Sequence, residues 1–150
     1  MKKTNYMEVS FKALSVNEGF ARVVIAGFCL PLNPSVDEIG DIKTAVSEAV
    51  TNCVVHAYPD GNGVITMSCE IVGNDVKIVV KDNGIGIKDI EKAKEPFFTT
   101  KPDVEERSGM GFTVMESFMD SVEVVPNGAK GIMVTMRKRI NSIASKVASA

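Results

Sequence analysis

The sequence is poor in the residues that build metal centres and covalent frameworks. One histidine, His56, is present in 150 residues. That excludes a multi-histidine metal site and leaves no spare base for a Ser-His-Asp triad. The three cysteines, Cys29, Cys53 and Cys69, are odd in number, far apart and set among apolar neighbours. They make neither a disulfide framework nor a metal spacing, and read as small buried hydrophobes in a reducing cytoplasm. No apolar run reaches the ~18 residues of a membrane span. The basic start Met1-Lys2-Lys3-Thr4-Asn5 is not followed by the apolar region of a signal peptide. Neither a membrane role nor export is expected. The P-loop pattern G-x-x-x-x-G-K-S/T is missing. A formal charge of −2, with no basic cluster beyond Arg137-Lys138-Arg139, argues against direct nucleic-acid binding. Internal repeats and linkers are lacking too. With 45% hydrophobic and 24% charged residues, the chain reads as one globular domain over 1–140 and a small, polar, disordered tail over 141–150.

What is present follows a clear order. Tyr6 to Leu14 alternates, with Met7, Val9, Phe11 and Ala13 on one face, as a half-buried strand does. Val16 to Leu30 is a helix apolar nearly all round and so expected to be buried, with Phe20, Val23, Val24, Gly27 and Phe28 along one face and Ile25, Ala26 and Cys29 around Arg22 on the opposite face. Arg22 is the single cation among apolar residues there, a common form of interface anchor, so this face is a candidate partner surface. Ser35 with Glu38 three residues on forms a capping box. The helix it opens runs to about Tyr58, with a core stripe of Val36, Ile39, Ile42, Val46, Ala49, Val50, Cys53 and Ala57. Val64 to Val72 and Asp75 to Lys81 form a hairpin about Gly73-Asn74. Lys88 to Arg107 is a long charged connection of the kind that serves as a lid. A helix over Gly111 to Asp120 and a last hairpin, Ser121 to Val125 and Gly131 to Ile140, complete the pattern.

Three stretches carry candidate chemistry. Asp82-Asn83-Gly84-Ile85-Gly86 ends a strand with a carboxylate and then two glycines, which let backbone pass close to a flat or charged group. Alone, such a turn is equally a matter of sterics. Glu48 and Asn52, four residues apart, share a helix face. That face lies roughly 100° from the core stripe, so it looks either into a cleft or into solvent. Ser108-Gly109-Met110-Gly111 opens a helix with a second glycine pair, suited to presenting amides to an anion. His56, a turn beyond Asn52, reads as a helix-end residue beside the last carbonyls rather than a phosphoacceptor.

In this order, a Glu–Asn helix, a D-x-G-x-G turn and a G-x-G helix start resemble the N box and the two glycine boxes of the GHKL ATPase and kinase superfamily. The stretches Glu48-Ala49-Val50-Thr51-Asn52, Phe97-Phe98-Thr99-Thr100-Lys101-Pro102 and Arg107-Ser108-Gly109-Met110-Gly111-Phe112 are more specific. They resemble the anti-sigma factor serine kinases, over roughly residues 6 to 140. The resemblance implies a Bergerat-type α/β (α+β) sandwich, a mixed and mostly antiparallel sheet with helices on one face. It implies a Mg-ATP-dependent serine kinase that binds and inhibits a sporulation sigma factor, phosphorylates an anti-anti-sigma factor and forms a homodimer. The strand from Tyr6 to Leu14 is a candidate for the dimer contact.

It also implies roles. Asp82 would accept the adenine amino group, with Gly84 and Gly86 passing beside the base. Asn52 would hold Mg²⁺, and Glu48 would be the catalytic carboxylate. Thr99, Thr100, Lys101 and Arg107 in the lid, with Ser108, Gly109, Met110 and Gly111, would meet the phosphates. One departure stands out: Ile132 follows Gly131 where the superfamily commonly carries a threonine near the adenine. The adenine pocket is then expected to lean on Asp82, water and Ser47. Two alternatives remain, a histidine-kinase-type catalytic domain and an ATP-gated binding module without phosphotransfer. The chain carries no phosphoacceptor-histidine helix or sensor segment for the former, and Glu48 argues against the latter.

Overall fold

The computed structural model describes residues 3–58, 62–85, 111–128 and 130–141. Among these described residues five strands form one sheet in the order β1-β2-β3-β5-β4, and every described pairing is antiparallel. The strands are β1 (Thr4–Lys12), β2 (Val64–Val72), β3 (Asp75–Asp82), β4 (Ser121–Pro126) and β5 (Ile132–Arg139). Three helices, α1 (Asn17–Cys29), α2 (Val36–Asn52) and α3 (Gly111–Phe118), supply the other layer, with α2 packed between α1 and α3. This is the α+β sandwich expected.

Strand alternation decides which side chains meet the helices. Ile65, Met67 and Cys69 on β2 stand opposite Asp82, Val80 and Ile78 on β3, and all six are buried. Val134 and Met136 of β5 continue the layer beside Val80 and Ile78. The period of two therefore sends Asp82, the last residue of β3, inward rather than to solvent. The turns behave as read. Gly73 takes φ +63° in the β2–β3 hairpin and Gly128 takes φ +67° in the β4–β5 hairpin. β1 lies at the sheet edge, and its Met7, Val9 and Phe11 are only half-buried.

The helix starts and the helix faces fared differently. Ser35 Oγ accepts from Glu38 N at 3.0 Å, and Glu38 Oε1 accepts from Ser35 N at 2.9 Å, so the capping box is formed. The α2 stripe enters the core at Ile39 and Ile42, whereas Val36 in the first turn is 86% exposed. On α1 the fully buried residues are Ala21, Ile25 and Cys29, and Val24 and Phe28 pack only partly. Val23 is 71% exposed, and Phe20 turns to the β1 side, its ring edge-on to Phe11 at 5.9 Å. A helix apolar all round carries no phase of its own, and close packing on α2 selected its smaller residues. All three cysteines are free and buried, as read.

At its C-terminal end α2 widens into a π-helical turn, Cys53–Ala57. Such turns are rare and disrupt regular helix packing, and they recur at functional sites. Here the turn brings the helix end against the end of β3.

Candidate active site

A buried carboxylate is costly unless its lone pairs are met. Asp82 is 3% exposed, and donors from three separate stretches of the chain meet its carboxylate. Oδ1 accepts from Gly84 N at 2.9 Å and from Ile132 N at 3.3 Å, and Oδ2 accepts from Cys53 Sγ at 3.3 Å. The turn beyond it is tied residue by residue to the end of the α2 helix. Tyr58 Oη accepts from Asn83 N at 2.8 Å and donates to Val64 O at 2.7 Å. Ile85 N donates to Ala57 O at 3.0 Å. Asn127 Nδ2 donates to Asp82 O at 2.8 Å, closing the turn from the β4–β5 side.

Two glycines are demanded by this closeness. A Cβ on Gly84 would run into the Ala57 carbonyl. On Gly131 it would run into the Asp82 carbonyl, and Gly131 also stands at φ +83°, a conformation that suits glycine. Gly131→Ala is expected to lose on the order of 1–3 kcal/mol from backbone strain alone, seen as a lower Tm.

The ionisation of the site follows from burial. Burial first, then the neighbouring Asp82 charge and its hydrogen bond, push the Cys53 thiol well above its ordinary value. Burial, with the Asp82 charge beside it, also raises the Tyr58 hydroxyl. Both groups therefore stay protonated and serve as donors near neutral pH.

The second half of the site lies across α2. A Cβ built on Gly111, the first residue of α3, would stand 3.0 Å from Asn52 Nδ2, 3.1 Å from Asn52 Oδ1 and 3.4 Å from Glu48 Oε2. The start of α3 thus approaches the two α2 side chains, both half-buried, and glycine is what leaves the approach open. Asn52 and Cys53 are chain neighbours, and through them α2 touches both halves: Gly111 on one side, Asp82 on the other. The Asn52 amide oxygen suits a hard cation such as Mg²⁺, which keeps waters and phosphate oxygens as its other ligands. Among the described residues no cluster of three or more His, Cys, Asp or Glu side chains forms an all-protein metal cage.

Arg22 does not stand alone among apolar residues. Its Nη1 donates to Glu18 Oε1 at 2.6 Å and to Ser47 Oγ at 3.2 Å, and Thr51 Oγ1 donates to Glu18 Oε2 at 3.1 Å. Ser47 Oγ is thereby engaged on the α1 side. Gly86, Thr99, Thr100, Lys101, Arg107, Ser108, Gly109 and Met110 lie outside the described residues, as do residues 142–150 of the tail expected over 141–150. Sequence reasoning missed Cys53, Tyr58 and Asn127 as parts of the site. Cys53 was assigned to the core stripe, which it also joins, and the other two were read as a helix end and a turn.

The family description of a histidine kinase-like ATPase domain matches residues 21–138. An anti-sigma F factor of Thermoanaerobacter sp. (strain X514) is 54% identical over 142 residues, covering 95% of this chain and 99% of the relative. This chain is a member of the anti-sigma F factor family. A second such factor, from Clostridium perfringens (strain SM101 / Type A), is 50% identical over 139 residues, covering 92% of this chain and 99% of the relative.

Among solved structures, the RsbU and RsbW domains of Rv1364c from Mycobacterium tuberculosis match with a TM-score of 0.66 at 20% identity. That match covers 91% of this chain and 32% of the other. The catalytic domain of the histidine kinase ThkA matches with a TM-score of 0.56 at 19% identity, covering 91% and 96%. At these identities the two structures bear on the fold, and they place this anti-sigma F family member on the GHKL architecture.

Proposed function

We propose that this chain is an anti-sigma factor and a Mg-ATP-dependent protein serine kinase, holding a sporulation sigma factor inactive and phosphorylating a serine of an anti-anti-sigma protein. The observation that carries the reading is the meeting at the end of α2: Asn52 and Glu48 against Gly111, and Cys53 against the buried Asp82. One helix end thus serves a base-recognising carboxylate and a candidate phosphate-side cluster together. Membership of an ATPase-domain family supports ATP as the nucleotide.

In this reading the nucleobase amino group donates to Asp82. Asn52 supplies an oxygen ligand to Mg²⁺, which when bound neutralises phosphate charge. The acceptor serine Oγ attacks the γ-phosphorus as its proton passes to the Glu48 carboxylate, and the bond from the γ-phosphorus to the β-phosphate oxygen breaks, releasing ADP. On the resemblance, Gly86 is assigned to the side of the base, and Thr99, Thr100, Lys101, Arg107, Ser108, Gly109 and Met110 to the lid and phosphates. No helix among the described residues is long and apolar enough to cross a membrane. The edge strand β1 is the proposed contact of a homodimer. Calorimetric titration with ATP, with and without Mg²⁺, tests the nucleotide half of the reading. Absence of ATP binding sinks it.

Arg22 is proposed as a sigma-factor contact, standing on α1 beside exposed Val23. Its bond to Glu18 is a partly exposed i,i+4 pair, worth about 0.3–0.5 kcal/mol, so the fold tolerates its loss. Arg22→Glu is expected to weaken sigma-factor capture while ATP affinity and Tm stay near wild type. A variant that loses Tm and both bindings together makes Arg22 a structural residue.

A further inference from the structure

We propose that Cys53 is the positioning residue for Asp82: its thiol hydrogen bond fixes the carboxylate so that Oδ2 offers one acceptor direction to the nucleobase amino group. The inference rests on the adenine-nucleotide reading above and deepens it. A carboxylate oxygen accepts about two hydrogen bonds. Oδ1 already has two, from the backbone of Gly84 and Ile132, and is full. Among the described residues Oδ2 has one, from Cys53, which leaves a second acceptor direction.

Two bonds on one oxygen act as a hinge rather than a lock. The terminal torsion of an aspartate is broad, so with Oδ1 held, the carboxylate plane can still swing and carry Oδ2 with it. The Cys53 donor meets Oδ2 from the helix side and stops that swing. Its backbone is itself held, because the π-helical turn that begins at Cys53 also anchors Ile85 through Ala57 O, and the adjoining Tyr58 takes Asn83 N. Residues 82, 83 and 85 are thus all tied to one segment. The thiol is buried and its sulfur stands 3.3 Å from Oδ2, and since a carboxylate oxygen only accepts, the S–H is the donor. Where the superfamily commonly offers a threonine, Ile132 supplies only its backbone N–H to Oδ1. Orientation of Oδ2 then falls to Cys53.

A cysteine that merely fills space would, on removal, lower stability and leave base preference alone. The test is calorimetric titration of wild type, Cys53→Ala and Cys53→Ser with ATP and with inosine triphosphate, whose 6-carbonyl presents no donor to Oδ2. Cys53→Ala is expected to bind ATP roughly 3- to 10-fold more weakly, with a matching fall in the ATP-over-ITP preference, and Cys53→Ser is expected to recover most of both. A second measurement needs neither nucleotide nor a Cys53 variant. In the infrared difference spectrum between wild type and Asp82→Asn, one S–H stretching band should move to higher frequency as its acceptor weakens. Wild-type behaviour of Cys53→Ala, equal weakening toward both nucleotides, or an unmoved S–H band overturns the assignment. Failure of wild type to bind ATP overturns instead the nucleotide reading beneath it.

Discussion

Glu48→Ala is expected to slow phosphate transfer to the acceptor protein by roughly 10²–10⁴-fold, the usual worth of a general base, while Mg-ATP binding survives. The carboxylate Oε2 faces the start of α3 beside Asn52, where a γ-phosphate is proposed to lie. A base is needed only while the serine proton leaves, so its loss raises the transition state far more than the ground state. ATP-dependent capture of the sigma factor should therefore persist in the variant. Asn52→Ala is expected to behave in the opposite way. It removes a ligand oxygen from the ground-state complex, so Mg-ATP affinity falls first. Quenched-flow phosphotransfer run beside nucleotide titration separates the two variants, and wild-type transfer by Glu48→Ala would show that Glu48 is no base.

Asp82→Asn is expected to weaken ATP binding by roughly 100-fold or more, from a lost charge-assisted hydrogen bond together with a mispaired buried donor. The two backbone donors at Oδ1, Gly84 N and Ile132 N, require an oxygen where they point. The amide must then place its NH₂ at the Oδ2 position, facing the Cys53 thiol and the incoming amino group, donor against donor. Turning the amide over relieves that clash only by leaving two buried N–H groups unmet. Circular dichroism should show the fold retained, because the core of β2, β3 and β5 does not depend on the charge. Wild-type affinity in calorimetry would remove Asp82 from the nucleotide site.

The parts of this molecule legible in its sequence are those decided within a few residues. Ser35 and Glu38 satisfy each other across one helical turn, and Gly73-Asn74 closes a hairpin whose register then follows. The inward aim of Asp82 was readable from the alternation Val76, Ile78, Val80, since a strand's period is two. The grouping of Glu48 with Asn52 was likewise a matter of helical spacing, and the structure adds Gly111 to them.

The face of α1 was not legible. Phe20, Val23 and Val24 compete with Ala21, Ile25 and Cys29 on apolarity, and only the closeness of α2 decides for the smaller set. The bond between Ser47 and Arg22 was not legible for a related reason: Arg22 comes from a different helix. Cys53 could not be separated from the core stripe before the end of β3 was laid against it. Its second role comes from a tertiary contact 29 residues away in sequence, and no local pattern encodes that.

The central claim is serine phosphotransfer by an anti-sigma factor, and one incubation tests it most directly. The pure protein is mixed with γ-labelled ATP, Mg²⁺ and a candidate anti-anti-sigma protein, and the label is followed through acid treatment. An acid-stable phosphoserine is expected on the partner, formed roughly 10²–10⁴-fold more slowly by Glu48→Ala. An acid-labile product would point to histidine chemistry, and no transfer at all, with ATP still bound, would contradict the kinase and leave a nucleotide-gated binding module.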